Sequence, residues 1–172
     1  MHDVNPIVAQ LQKAHSSFIA ACGEIPEERW KSSPGKGAWS AGEVVAHLTQ
    51  VEEKISSAVT KTVREAAVPV PLWKRLHFPV ALAENSGFKL KTPVPLDPLL
   101  VREKTQMLVE FTRQRNHSVA LLLSNGRKDL SVYRMPHPFL GSLNFYDWFR
   151  MLAFHEIRHT KQIRRIVASF PR

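Results

Sequence analysis

Residues 39–48 read Trp-Ser-Ala-Gly-Glu-Val-Val-Ala-His-Leu, a stretch that predicts the start of a long helix. The Ser40 side chain can cap this helix while the Glu43 side chain reaches back to the Ser40 backbone, the pattern of a capping box. Residues then recur at steps of three or four and define one predicted buried stripe: Val44, Leu48, Val51, Ile55, Ala58 and Thr62. The stretch therefore predicts an amphipathic helix of about five turns.

Two more helices are predicted near the ends of the chain. The first is expected to start with Asn5 as its N-cap and Pro6 at its first helical position, and to end at Gly23. The last is expected to start with Asn144 as its N-cap, with an aspartate three positions on, and to run nearly to Pro171.

A third helix is predicted after a proline-rich connection. Residues 65–98 hold six of the twelve prolines, so we expect a long crossover there with one short helix around residues 73–83. Asp97 then caps the third helix, which Asn125-Gly126 ends. Its predicted buried face comprises Leu100, Met107, Phe111 and Leu122.

Four long amphipathic helices without a credible alternating strand predict an all-α four-helix bundle. The long Pro-rich crossover joins helices 2 and 3, whereas shorter links join the other pairs and place those neighbours antiparallel. The chain has 172 residues, 44% of them hydrophobic and 23% charged, which fits a single domain over residues 1–172 that needs no disulfide or metal merely to fold.

Several sequence features indicate the cellular location of the protein. The longest apolar runs, such as residues 119–123, are too short to span a membrane, and the N-terminus lacks the pattern of a secretory signal. We therefore expect a cytoplasmic protein. The single cysteine, Cys22, excludes an intrachain disulfide and is expected to be a buried, inert thiol.

The net charge of +9 raises the question of nucleic-acid binding. The excess lies in the second half of the chain, where 13 basic residues face 5 acidic ones after residue 97. In the fourth helix Arg150, Lys161 and Arg164 fall opposite the apolar stripe, which is typical of an ordinary solvated face. Aromatic and basic residues are not interleaved on one face, so nucleic-acid binding ranks last among the function classes.

Three of the eight histidines are predicted to point into the bundle. His155 and His159 lie one turn apart in the middle of the apolar stripe of the fourth helix, and His47 lies at the edge of the stripe of the second. A lone core histidine usually finds a hydrogen-bond partner, but burying three imidazoles is costly unless they share one. A divalent ion takes a lone pair from each, so the pattern favours a metal site.

Residues 155–159 also match the zinc-peptidase pattern H-E-x-x-H. The extended form of that pattern requires a glycine and a further histidine where this chain has Gln162 and Arg165. No Asp, Glu or His follows His159, so the third ligand must come from upstream, and His47 is the best candidate. Three histidines leave at least one coordination position open, as catalytic sites do.

The stretches at 39–48, at 137–149 (His-Pro-Phe-Leu-Gly-Ser-Leu-Asn-Phe-Tyr-Asp-Trp-Phe) and at 155–163 (His-Glu-Ile-Arg-His-Thr-Lys-Gln-Ile) resemble the DinB/YfiT-like superfamily. The resemblance covers nearly the whole chain. It implies an up-down-down-up bundle that binds a divalent ion, commonly zinc or nickel, through His47, His155 and His159. It also implies a homodimer. Members with assigned activities include thiol-dependent S-transferases, a maleylpyruvate isomerase and proposed hydrolases.

Two chemistries remain open for such a site. The ion could activate water for hydrolysis, or it could bind a low-molecular-weight thiol that attacks a small electrophilic substrate, which the resemblance slightly favours. Glu156 is a weak candidate for a general base, because its helical position points toward a neighbouring helix or solvent. Gln50 and Gln162 are candidates to orient the ligand histidines. The rival class is a non-catalytic, metal-stabilised bundle that binds a partner or acts in a stress response.

Other polar residues have weaker signals. Gln114, Arg115 and Ser118 interrupt the apolar face of the third helix and could line a pocket or face solvent. His137 could approach the site, although a structural hydrogen bond is the better prediction. The remaining histidines, at positions 2, 15, 77 and 117, show no convergent pattern.

Overall fold

The computed structural model describes residues 3–65, 71, 78–84, 100–126 and 128–170, and it confirms an all-α four-helix bundle. The helices are α1 (Asn5–Gly23), α2 (Ala41–Arg64), α3 (Lys104–Ser124) and α4 (Phe145–Ser169). Helix α1 packs chiefly against α4, and α2 packs chiefly against α3. The up-down-down-up direction of the helices stays a prediction.

Side-chain caps begin two of the helices as predicted. The Ser40 hydroxyl accepts the Glu43 N–H at 3.2 Å, and the Glu43 carboxylate accepts the Ser40 N–H at 2.7 Å, which completes the capping box of α2. The Asn144 side chain accepts the Asp147 N–H at 2.9 Å and caps α4. Each cap satisfies backbone donors that the first helical turn leaves unpaired.

The predicted starts of the other two helices were wrong. Asn5 is the first helical residue of α1 and makes no side-chain cap; its N–H is accepted instead by Asp3 at 3.0 Å. Helix α3 begins at Lys104, so Leu100 lies outside it, while the expected cap at residue 97 lies outside the described residues. Glu103 is extended, with ψ of 141°, and residues 101–103 are not helical.

A short β-hairpin, which the sequence did not predict, precedes α4. Strands β1 (Arg134–His137) and β2 (Gly141–Asn144) pair antiparallel, with His137 opposite Gly141. Gly141 has φ of +88°, a value that side chains with a Cβ rarely adopt, so glycine permits the turn. Asn144 ends β2 and caps α4, so the hairpin is joined to α4 without a linker.

The crossover between α2 and α3 contacts both the hairpin and α4. Its described part includes a 3-10 helix at Val80–Glu84; of the short helix predicted around 73–83, residues 73–77 lie outside the described residues. The Phe78 N–H donates to the Leu140 carbonyl at 3.0 Å, and Lys161 of α4 pairs with Glu84 at 2.6 Å. A second 3-10 helix, Glu27–Arg29, lies between α1 and α2.

Two apolar clusters form the core. One contains Leu11, Ile55, Leu122 and the start of α4 up to Ala153; the other contains Phe18, Val44, Phe111 and Ile163. Between them each helix contributes polar side chains to one layer, defined here as the polar layer: His15 of α1; His47, Glu52 and Ser56 of α2; Gln114, Arg115 and Ser118 of α3; His155, Glu156 and His159 of α4. The site described below lies in this layer.

Individual predictions of burial had mixed outcomes. In the second half of α2 the buried residues are Glu52, Ile55, Ser56 and Val59, whereas Ala58, which was predicted to be buried, is exposed. Because an α-helix has 3.6 residues per turn, a row of residues drawn at steps of three and four drifts around the helix along its length. Cys22 is buried as expected, and burial raises the pKa of its thiol to about 12. Among the described residues, the helices lack a stretch long and apolar enough to cross a bilayer.

Candidate metal centre

Helices α2 and α4 bring His47, His155 and His159 together. The ring centroids of His155 and His159 lie 4.6 Å apart, and the His47 centroid lies 5.3 Å from that of His155 and 5.2 Å from that of His159. One ring nitrogen from each of the three lies within 4.8 Å of the other two. The three histidines therefore form one cluster that could hold a metal ion.

The spacing of two ring nitrogens fits a shared ion. Nε2 of His155 and Nε2 of His159 lie 3.1 Å apart. Two nitrogens bound to one ion at about 2.0–2.1 Å lie about 2.9–3.4 Å apart for bond angles from octahedral to tetrahedral. Residues one helical turn apart face the same side, which is why the i, i+4 pair on α4 can meet this spacing.

Burial keeps the three imidazoles neutral, as metal ligands must be. Desolvation lowers the pKa of His47 to about 4, and it lowers that of His159, with a contribution from His47, to about 3. The pKa of His155 is also well below its ordinary value, first through burial and then through the neighbouring histidines. Their lone pairs are therefore available at neutral pH.

Gln162 fixes the tautomer of His159. The Gln162 carbonyl oxygen can only accept, so Nδ1 of His159 carries the proton and donates to it across 2.8 Å. The lone pair of His159 is therefore on Nε2, which faces His155. Partners of this kind orient ligand histidines in metal sites, and the geometry agrees with the orienting role predicted for Gln162.

Gln50 stands in the same sequence relationship to His47, three residues later on α2. Here Nδ1 of His47 and Oε1 of Gln50 are both buried, and within the described structure neither has a hydrogen-bond partner. Nδ1 of His155 is likewise buried without a hydrogen-bond partner in the described structure. Buried polar atoms without partners are rare, and three of them around one cluster suit a site whose hydrogen bonds are completed when a ligand binds.

Two aromatic contacts involve the helices that carry the cluster. The Trp39 ring lies 5.0 Å from that of His47, and the ring of His137, at the end of β1, lies 5.2 Å from that of Trp148 on α4. Nδ1 of His137 accepts the N–H groups of Phe139 and Leu140, both at 3.1 Å. The structural hydrogen bond predicted for His137 is thus present.

Glu156 is fully buried and contacts residues of α1 and α3 rather than the three histidines. One carboxylate oxygen lies 3.1 Å from Nδ1 of His15 on α1, and the other accepts from Arg115 of α3 at 2.9 Å. The Glu156 side chain thus points toward neighbouring helices, which is one of the two directions expected from its helical position. Both carboxylate oxygens of Glu156 are thus bound to residues of other helices.

Arg115 extends this arrangement into an ion network, defined here as His15, Glu52, Arg115 and Glu156. Its guanidinium also contacts Glu52 at 3.1 Å, and all three charged side chains are at most 3% exposed. Burial raises the pKa of Glu52, although the charge of Arg115 opposes the shift. The network joins all four helices beside the histidine cluster.

The three polar residues of α3 are not solvent-facing. Gln114, Arg115 and Ser118 are all buried. The Ser118 hydroxyl lies 2.9 Å from that of Ser56, to which Gln114 also donates at 3.4 Å. Gln114 and Ser118 thus contact α2, and Arg115 belongs to the ion network, so all three residues take part in interhelical packing.

His15, Glu52 and Ser56 are the polar-layer residues that the sequence reasoning missed. Thr112 donates its hydroxyl proton to the Leu108 carbonyl, so its oxygen accepts from Nε2 of His15 at 3.1 Å. Nδ1 then faces the Glu156 carboxylate at 3.1 Å. The available signal was the position of His15 in the apolar stripe of α1, opposite a glutamate of α4 in the same layer.

Comparison with known proteins agrees with this architecture. A family model described as the DinB superfamily matches residues 10–163. The chain is also 26% identical over 149 residues to the uncharacterized protein YuaE of Bacillus subtilis (strain 168). That match covers 86% of this chain and 89% of YuaE. The matched region contains the histidine cluster and the whole polar layer.

Proposed function

This chain belongs to the DinB superfamily, and on that premise we propose that it is an enzyme that binds one divalent transition-metal ion through His47, His155 and His159. The reaction is thiol transfer to, or hydrolysis of, a small molecule. Zinc and nickel are the proposed metals, since both accept imidazole ligands. A low-molecular-weight thiol is the proposed cosubstrate.

The observation that carries this proposal is the convergence of three neutral imidazoles from two helices. The 3.1 Å separation of the two Nε2 atoms on α4 and the fixed tautomer of His159 both suit coordination. Nδ1 of His155 lacks a partner in the described part of the chain, so it can take up the proton that Nε2 must give up on binding. The donor set, three imidazoles, suits a borderline-soft divalent ion.

An ion in this site would supply Lewis acidity, which acidifies a water or a thiol that takes an open coordination position. The chain's own residues supply the rest. His47, His155 and His159 would hold the ion, and Gln162 keeps the ring of His159 in place. In thiol transfer the sulfur lone pair bonds to an electrophilic carbon, and the leaving group departs with its electron pair.

Metal stoichiometry is the decisive experiment. Protein purified without an affinity tag is analysed for metals before and after incubation with zinc or nickel, alongside His155→Ala. His117→Ala is the matched control, because His117 is an exposed histidine of α3. We expect about one equivalent of metal in wild type and control and a large loss in His155→Ala, since two imidazoles bind far more weakly than three.

The two reactions are separated with the loaded protein. Thiol consumption is measured with a panel of low-molecular-weight thiols and an electrophilic acceptor, and hydrolysis is measured with activated esters and amides in the absence of thiol. Thiol-dependent turnover that disappears in His155→Ala supports transfer. Full metal loading without turnover in either assay would contradict the enzymatic part and favour a metal-stabilised, partner-binding bundle.

A homodimer is part of the same proposal. Val109 and Leu123 are 65% and 49% exposed, and their spacing of fourteen residues places both on one face of α3. Light scattering of wild type and Val109→Lys tests this face. We expect a dimer for wild type and a shift toward monomer for the variant, and a monomeric wild type would contradict it.

A further inference from the structure

His137 ends strand β1 and packs on Trp148 of α4, and its own turn determines its tautomer. Backbone N–H groups can only donate, so Nδ1 of His137, which accepts two of them, has no proton. The proton of the neutral ring is therefore on Nε2. Within the described chain, no hydrogen-bond partner is recorded for this Nε2–H.

This tautomer excludes His137 as a fourth metal ligand. Coordination through Nε2 would need a lone pair there and would move the proton to Nδ1, against the N–H groups of Phe139 and Leu140. A fourth ligand would close the site, so the hairpin turn keeps a coordination position open. It also leaves a neutral Nε2–H on a ring whose orientation the turn holds.

The placement of His137 is set by α4. Its ring packs on Trp148, which is two turns before His155 and on the same face of the helix. Helical side chains lean toward the N-terminus, so the His155 ring leans toward Trp148. Burial is the main cause of the low pKa of His155, and the charges of four groups lower it further: His159, His47, Arg158 and His137. Of these four, only His137 lies outside the helices.

We propose that His137 donates a hydrogen bond from Nε2 to an oxygen acceptor, a carboxylate or carbonyl, of the ligand in the open position beside the three histidines. The proposal rests on the proposed metal site and specifies its substrate class. A neutral Nε2–H stabilises negative charge on such an oxygen without contributing a second positive charge that would repel the metal ion.

Two substitutions separate the two nitrogens of His137. His137→Asn places an amide oxygen near the Nδ1 position, so the turn keeps its acceptor while the Nε2 donor is lost. His137→Gln places an amide N–H near the Nε2 position and should restore the donor. His117→Asn is the matched control on the exposed face of α3.

The probe is acetate, titrated into cobalt-loaded protein and followed by the visible absorption of the ion, after the cobalt affinity of each variant is measured. We expect unchanged cobalt affinity throughout, acetate binding about tenfold weaker in His137→Asn, and recovery in His137→Gln, because one hydrogen bond to a charged acceptor is lost and regained. The control should match wild type.

The other outcomes identify which idea fails. Acetate affinity that is equal in wild type and His137→Asn, with cobalt bound to both, overturns the role of His137 and leaves the metal site standing. Loss of cobalt itself from His137→Asn would make His137 a ligand and overturn its role as a donor. Failure of wild type to bind cobalt rejects the proposed function, and the role of His137 is rejected with it.

Discussion

Nδ1 of His159 donates a hydrogen bond to Oε1 of Gln162 across 2.8 Å, one turn of α4 apart. This contact decides which nitrogen of His159 faces the other two histidines. It is formed within one helix, so it exists before any ligand binds.

The first prediction concerns this contact. Gln162→Leu removes the acceptor, so His159 can change tautomer and ring orientation, and we expect metal affinity to fall about 10- to 100-fold. Competition with a chromogenic chelator measures it. Lys161→Leu, an exposed neighbour on α4, should bind metal as wild type does. Equal affinity in Gln162→Leu and wild type would contradict the orienting role.

The second prediction concerns the ion network. Arg115→Met leaves Glu52 and Glu156 buried without their shared guanidinium, so we expect a loss of about 3–5 kcal/mol in the free energy of unfolding. Urea denaturation followed by circular dichroism measures it. Arg113→Met changes an exposed arginine of the same helix and should stay within about 0.5 kcal/mol of wild type.

A companion variant tests whether the loss comes from unpaired charge. Neutralising both carboxylates together with the arginine, as Glu52→Gln, Arg115→Met and Glu156→Gln, should recover much of the stability. If the triple variant is no more stable than Arg115→Met, lost packing rather than uncompensated charge causes the effect.

The third prediction concerns the contact of Gly42 with Val101. A Cβ at position 42 would lie 2.6 Å from Cγ1 of Val101 and 3.1 Å from Nε1 of Trp30. We expect Gly42→Ala to destabilise the protein by about 1–2 kcal/mol, because overpacking outweighs the better helix propensity of alanine. Thermal unfolding measures the change.

Two controls accompany that measurement. Gly23, at the end of α1, has open space around its Cβ position, so Gly23→Ala should be neutral or slightly stabilising. Adding Val101→Ala to Gly42→Ala should recover stability if the overlap is the cause. A Gly42→Ala protein as stable as wild type would show that Val101 moves aside without cost.

The fourth prediction concerns pH. Burial lowers the pKa of His47 to about 4 and, with the charge of His47, that of His159 to about 3, whereas both are about 6.5 in the unfolded chain. Below pH 6.5 both histidines therefore become protonated in the unfolded chain but stay neutral in the folded chain. Metal-free protein should lose on the order of 2 kcal/mol per histidine between pH 7 and pH 5.

Urea denaturation of the metal-free protein at both pH values tests this prediction. His47→Leu should show a shallower dependence, because one of the shifted groups is gone. A wild-type stability that does not change between pH 7 and pH 5 would mean that the cluster is already protonated or hydrated when folded.

Local signals predicted much of this fold. The capping box at Ser40 and Glu43 and the cap at Asn144 involve residues three positions apart, so the sequence displays them directly. The three clustered histidines followed from helical periodicity combined with the resemblance. The hairpin was missed because four-residue strands are too short for an alternating pattern to be recognised.

Long-range pairings could not be predicted in the same way. His15 and Glu156 are 141 positions apart, and only the packing of α1 against α4 brings them together. Likewise, Val101 packs over Gly42 of α2 just before α3 begins, a contact that no local rule contains. Helix faces predict which side is buried, but they do not say which partner it meets.

The histidine cluster comes from α2 and α4, whereas His137 comes from the hairpin that precedes α4. The three candidate metal ligands and the proposed hydrogen-bond donor are thus on separate stretches of chain. A protein engineer could redesign the turn at residues 138–140 to change which molecules enter while leaving the three imidazoles untouched. Selectivity and reactivity could then be adjusted one at a time on a single scaffold.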